Sequence, residues 1–135
     1  MNKKAQISLL LVLIFSIIIT SFHYTDNAIF IDKYPEPEWI TISGIYLTWI
    51  IMTLIGVAGY WLYEKRKFLS SYFCLGIYSL TGLSSVAHYF YGTLSDFSVK
   101  MHIFIWSDIF AGLLVVVSVV YSGLILKEWQ KKVYK

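Results

Sequence analysis

Four stretches of this 135-residue chain, 5–22, 40–63, 68–92 and 101–126, contain Asp108 and otherwise no Asp, Glu, Lys or Arg. They are 18, 24, 25 and 26 residues long. An α-helix rises about 1.5 Å per residue, so about 20 apolar residues cross the hydrocarbon of a bilayer. Transmembrane barrel strands are about 10 residues long with strict alternation, and these runs have neither property. Only 14% of the chain is charged and 58% is hydrophobic, whereas soluble domains carry about 25% charge. What remains outside the runs is too little for a soluble domain. The expectation is one transmembrane domain over 1–135, with spans at about 5–23, 39–63, 68–92 and 100–126.

The net charge of +3 does not point to nucleic acid, because its distribution follows the membrane. Lys3, Lys4, Lys65, Arg66, Lys67, Lys127, Lys131, Lys132 and Lys135 flank one set of span ends, and only Lys33 and Lys100 flank the other. Asp26, Asp32, Glu36, Glu38 and Asp96 fall with that second set. Short basic loops stay cytoplasmic. The expected architecture is therefore all-α: an integral membrane four-helix bundle, up-down and antiparallel, with both termini cytoplasmic. The membrane is read as the cytoplasmic (inner) membrane, with 24–38 and 93–100 as extracytoplasmic loops. Tyr60, Trp61, Tyr63, Trp129 and Tyr134 suit the inner interface, and Tyr24, Tyr34, Trp39, Tyr89 and Tyr91 the outer one.

The N-terminal residues Asn2, Lys3 and Lys4 and the apolar run after them have the order of a secretory signal, but Thr20-Ser21-Phe22-His23-Tyr24 is a poor cleavage context. The segment is read as the first span. Pro35 and Pro37 predict an extended approach to the second span, and Asp26 is placed to cap a short turn carrying residues 28–31. Cys74, the only cysteine, excludes an internal disulfide and a multi-thiolate site. Gly56 and Gly59, Ser79 and Gly82, Ser107 and Ala111, and Ser118 and Ser122 give the spans faces for close helix approach.

Chemistry concentrates toward the outer side, where all three histidines fall. Asp108 is the most costly residue, at about 2.5–3.5 kcal/mol for a carboxylate near a helix centre. It must face protein or water, be paired, or be uncharged. On straight helices His88 lies about 6 Å and Asp108 about 10 Å below the outer ends of their spans, which makes His88 the expected partner. Ser84 and Ser85 extend a polar stripe beside it. His23 closes the first span with Asp26 one turn on, and His102 opens the fourth, pointing about 120° away from Asp108.

Imidazole with carboxylate suits zinc, copper or iron, so His23, His88, His102 and Asp108 form one candidate ligand set. Asp26, Ser84 and Ser85 would be supporting groups or alternative ligands. Haem b between His23 and His88 is a variant of that reading. Two other functions remain open: a proton-coupled carrier of a small ligand, and an accessory subunit of a larger membrane complex. The bilayer is the expected partner in every case, with other membrane subunits in the last. Interfacial histidines need only water or headgroups, so a structural role for His23 and His102 also stays open.

Overall fold

The structure is a computed structural model and describes residues 2–130. Lys131, Lys132, Tyr134 and Lys135, counted above toward the inner end, lie outside the described residues. Four long helices make up the chain: α1 (Lys3–Ile29), α2 (Ile42–Glu64), α3 (Phe68–Leu83) and α4 (Val99–Val120). No strand is present among the described residues. Asn2 caps α1 through its side chain, Thr41 caps α2 and Ser98 caps α4, each accepting from N–H groups that the first helical turn leaves unpaired. Each helix packs on the next in sequence, and α1 packs on α4.

Three helices, Lys3–Ile29, Ile42–Glu64 and Val99–Ile125, are long and apolar enough to cross a membrane. The expected third span, 68–92, is not one α-helix. It is the 16 residues of α3 followed by a 3₁₀ segment, Ser84–Phe90. Ser84 and Ser85 stand at the junction, and such side chains compete with the α-helical ladder. The first outer loop also differs from expectation. Asp26, Ala28 and Ile29 lie inside α1, which runs on to Ile29, and a short 3₁₀ turn, Ile31–Lys33, follows.

The molecule is apolar outside and polar within. Leu11, Leu54, Phe73, Ile103 and Val117 are each more than half exposed. The buried face of α1 reads Leu9, Leu13, Ser16, Thr20, His23 and Asn27, a three-and-four spacing that keeps one side of a helix inward. Two apolar clusters fill the interior, one around Leu13, Leu75, Tyr78 and Val115, the other around Tyr34, Phe97, Met101 and Ile105. A polar layer lies between them. There Tyr78 donates to Ser16 Oγ (3.2 Å) and the Trp49 indole to Thr20 Oγ1 (3.0 Å). Trp49 thus has a buried partner, whereas Trp106 is 62% exposed on the outer surface of α4. Close approach occurs at the expected small residues: Gly56 faces the Tyr78 ring, Gly59 faces Cys74 and Leu75, and Gly82 meets the backbone of Asp108.

Candidate functional site

Asp108 is fully buried on the inward face of α4, which also carries Met101, Ile105, Ala111, Gly112 and Val115. Its partner is His23, not His88. His23 Nδ1 lies 2.7 Å from Asp108 Oδ2, and Ser85 donates to the same oxygen at 2.9 Å. An ionised carboxylate only accepts, so with Asp108 ionised the His23 Nδ1 carries the hydrogen, and in the neutral ring Nε2 then presents its lone pair. His23 is 2% exposed, yet Nε2 has no hydrogen-bond partner, and neither has Asp108 Oδ1. An unsatisfied buried polar group costs about 1–3 kcal/mol.

The sequence-based choice of His88 rests on α3 remaining α-helical to its end. A 3₁₀ turn advances about 120° per residue against about 100° for an α-helix. Four residues into the 3₁₀ segment, His88 is rotated by about 80° from the α-helical direction. Its ring instead packs 5.4 Å from His23 and 5.4 Å from Tyr34, centroid to centroid. Asn27 Nδ2 lies 3.5 Å from His88 Nε2 and donates to Glu36 Oε2 at 3.2 Å. Tyr34 is held by its hydroxyl, which donates to Asp26 Oδ2 (2.9 Å), while the Lys100 ammonium bonds Asp26 Oδ1 (2.7 Å). Asp26 therefore clasps the proline-containing loop to the end of α1 and the start of α4.

These elements surround a cavity of about 280 Å³ between the C-terminal end of α1, the loop, the start of α2 and the 3₁₀ segment. His23, Asn27, Glu36, Trp39, Ser84, Ser85 and His88 line it, with apolar wall from Ile40 and Ile45. Glu36 is half-buried there, and burial pushes its carboxyl above the ordinary range, against the lowering hydrogen bond from Asn27. The other three walls of the site are aromatic: Phe104 stacks on His23 at 6.2 Å, with Tyr34 and Tyr24 at 5.9 and 6.1 Å.

The four-residue ligand set expected from sequence is not assembled. His102 turns away from the pair, as its helical phase predicts: Nδ1 lies 2.7 Å from the Tyr89 hydroxyl and Nε2 3.2 Å from the Leu94 carbonyl. Among the described residues no group of three or more His, Cys, Asp or Glu side chains is placed to hold a metal ion. The haem arrangement does not fit either. The His23 and His88 rings are in direct tilted contact, with Tyr34 against both, so no slot for a porphyrin lies between them. Asp26 serves the clasp, Ser84 lines the cavity, and Ser85 touches the carboxylate.

A second buried carboxylate escaped sequence reasoning. Glu128 is fully buried at the opposite end of the molecule. It accepts from the Tyr63 hydroxyl, from Ser122 Oγ (2.9 Å) and from the Asn2 backbone N–H (2.8 Å). Tyr72 extends the network to Ser122 at 2.7 Å. A π-helical turn, Tyr121–Ile125, and a left-handed Lys127 (φ 48°) fold the chain back to bring Glu128 inward. The arrangement ties the start of α1 to the end of α4. Tyr63→Phe should lower stability by about 1–3 kcal/mol, as expected for a lost partner of a buried charged acceptor. Thermal unfolding checks this, and an unchanged midpoint would make the clasp ornamental. No family model, no curated protein and no solved structure matches the chain.

Proposed function

We propose that the chain is a small multi-pass membrane protein that takes a small molecule into its outer-half cavity and presents His23 to it as a proton acceptor. The observation that carries this reading is the asymmetry of one imidazole. Asp108 holds Nδ1 from inside the protein, and the unpartnered Nε2 belongs to a residue lining a cavity. An imidazole with one nitrogen fixed by a carboxylate has a defined tautomer and a defined direction for proton transfer. Proton-accepting function needs that geometry first.

The surrounding architecture is read as an up-down antiparallel four-helix bundle in the cytoplasmic membrane. Outward-facing Leu, Ile, Phe and Val side chains on every helix call for lipid, since exposed patches of this extent do not persist in water. The fourth crossing is α3 with its 3₁₀ continuation. Its 16 α-helical and 7 3₁₀ residues span about 38 Å at 1.5 and 2.0 Å each, enough for hydrocarbon about 30 Å thick. Sidedness is supported by what meets at one end. The Asn2 N–H donates to Glu128 and Gln6 donates to Glu64 (3.0 Å), so Lys3, Lys4, Lys65, Arg66, Lys67 and Lys127 gather there. That is the cytoplasmic end by the positive-inside rule. The His23 cavity then faces the outer leaflet.

A metal or haem centre has no place in this reading, because the donors do not converge. The test is chemical. Diethyl pyrocarbonate acylates imidazole nitrogen that carries a free lone pair, and mass spectrometry locates the product. In protein reconstituted in lipid nanodiscs, His23 and His88 should be modified at rates measurable beside the outer-side His102, and Asp108→Asn should change the His23 rate by releasing its tautomer. If His102 reacts to completion while His23 and His88 stay intact, the cavity admits nothing and the reading fails.

A further inference from the structure

The cavity's unpaired groups are all of one kind. His23 Nε2, Asn27 Oδ1 and Glu36 Oε1 are buried and have no hydrogen-bond partner. With Nδ1–H given to Asp108 and the ring neutral, the His23 atom is an acceptor, and so are the amide and carboxylate oxygens. Ser, Thr and Tyr24 hydroxyls in the wall can serve either way, and the obligate donors include the Trp39 indole and the Asn27 amide nitrogen, the latter already given to Glu36. No Lys or Arg among the described residues lines the cavity. The nearest ammonium groups are committed elsewhere: Lys100 to Asp26 at 2.7 Å and over the Phe30 ring at 3.8 Å, and Lys33 beside the same ring.

A low-dielectric pocket with a carboxylate, a surplus of acceptors and no fixed cation rejects anions, which would find no counter-charge. A neutral alcohol has one donor for three acceptors. A primary ammonium has three donors on one centre and also supplies the positive charge that Glu36 lacks. The remaining wall, Trp39, Ile40 and Ile45, suits a compact apolar body, and an indole face attracts a cation.

We infer that the ligand of this cavity is a primary ammonium carried on a small apolar body, held by His23, Asn27 and Glu36. The inference rests on the reading of the cavity as a binding site and adds the chemical class of what enters it. Burial already raises the Glu36 carboxyl, and a bound cation would draw it back down. The same headgroup chemistry is available from a free amine in the outer medium and from the ethanolamine headgroup of an outer-leaflet lipid.

The probe is cyclohexylamine, which is protonated at neutral pH as lysine is, with cyclohexanol and cyclohexanecarboxylate as neutral and anionic equivalents. Binding is followed by calorimetry on the full chain in phosphatidylcholine nanodiscs, against empty nanodiscs. The amine should bind at least about tenfold more tightly than the alcohol, and Glu36→Gln should remove that preference, as expected when one charge pair is deleted. Asp32→Asn, an exposed acid outside the cavity, should leave it unchanged. Adding phosphatidylethanolamine to the nanodisc should weaken amine binding if the lipid headgroup is the occupant and leave it unchanged if the ligand is a free amine.

Equal binding of the alcohol, tighter binding of the carboxylate, no binding of the amine, or an indifferent Glu36→Gln would each overturn the ammonium assignment. The diethyl pyrocarbonate result separates the two levels. A reactive His23 with no amine preference leaves a cavity of another specificity, and an unreactive His23 removes the cavity itself.

Discussion

Asp108→Leu should cost the protein about 1–3 kcal/mol for each buried polar group it leaves without a partner. The loss comes less from the bond itself than from what stays behind. Without Asp108, the buried His23 Nδ1 and Ser85 Oγ face an apolar side chain. Removing all three polar groups together should behave differently. The triple variant His23→Phe, Ser85→Ala, Asp108→Leu leaves nothing unpaired, and buried pairs replaced by apolar side chains of similar volume are often neutral or better. It should recover most of the lost stability while losing all amine binding. Cys74 is the only cysteine and is partly buried, so the onset of its labelling by a thiol-reactive dye on heating reports unfolding in detergent. If the single and the triple variants melt alike, Asp108 is not an interior partner of His23. A stable triple variant without binding would mark the polar layer as functional expense rather than structural need.

How much of this was readable beforehand depended on whether local chemistry or inter-helix geometry decided the matter. The apolar runs, their basic flanks and the cost of Asp108 are properties of single residues or short windows, and α1, α2 and α4 lie over three of those windows, whereas α3 ends at Leu83. The partner of Asp108 is a question of phase between helices. The sequence points to His88 only if α3 stays α-helical to Gly92, and the switch at Ser84 undoes that phase. A signal for His23 was present: Leu9, Leu13, Ser16, Thr20, His23 and Asn27 recur every three or four residues, placing His23 on the one face of α1 that turns small and polar. That regularity survives no arithmetic based on depth alone. Glu128 gave no such warning. It sits among lysines beyond the last apolar run, where a carboxylate normally stays in water, and only the π turn and the reversal at Lys127 carry it inside.

Gly82→Ala should damage the site as severely as removal of Asp108, although Gly82 carries no chemistry. A methyl group there would be driven onto the Asp108 carbonyl oxygen and to 3.0 Å from the Gly112 nitrogen, and one on Gly112 would lie 2.8 Å from the Ser79 carbonyl. Backbone faces backbone across α3 and α4, so no side chain can swing aside to make room. Close approach through small residues is how helices associate in lipid, where burial from water contributes nothing. The alanine must push α4 outward, and the 2.7 Å contact between His23 and Asp108 is lost with even a small displacement. Overpacking of this kind costs about 1–3 kcal/mol, and the broken buried pair adds to it. Gly76→Ala is the matched control. It lies on the same helix with nothing within 4 Å of the added carbon, so helix propensity alone should raise stability by about 0.5–1 kcal/mol. Melting and cyclohexylamine binding on both variants decide the point: Gly76→Ala should bind and melt at or above the parent, and Gly82→Ala should bind nothing and melt well below it. Were Gly82→Ala to match its control, α3 and α4 would not be in backbone contact, and the carboxylate would lose the wall that sets it against His23.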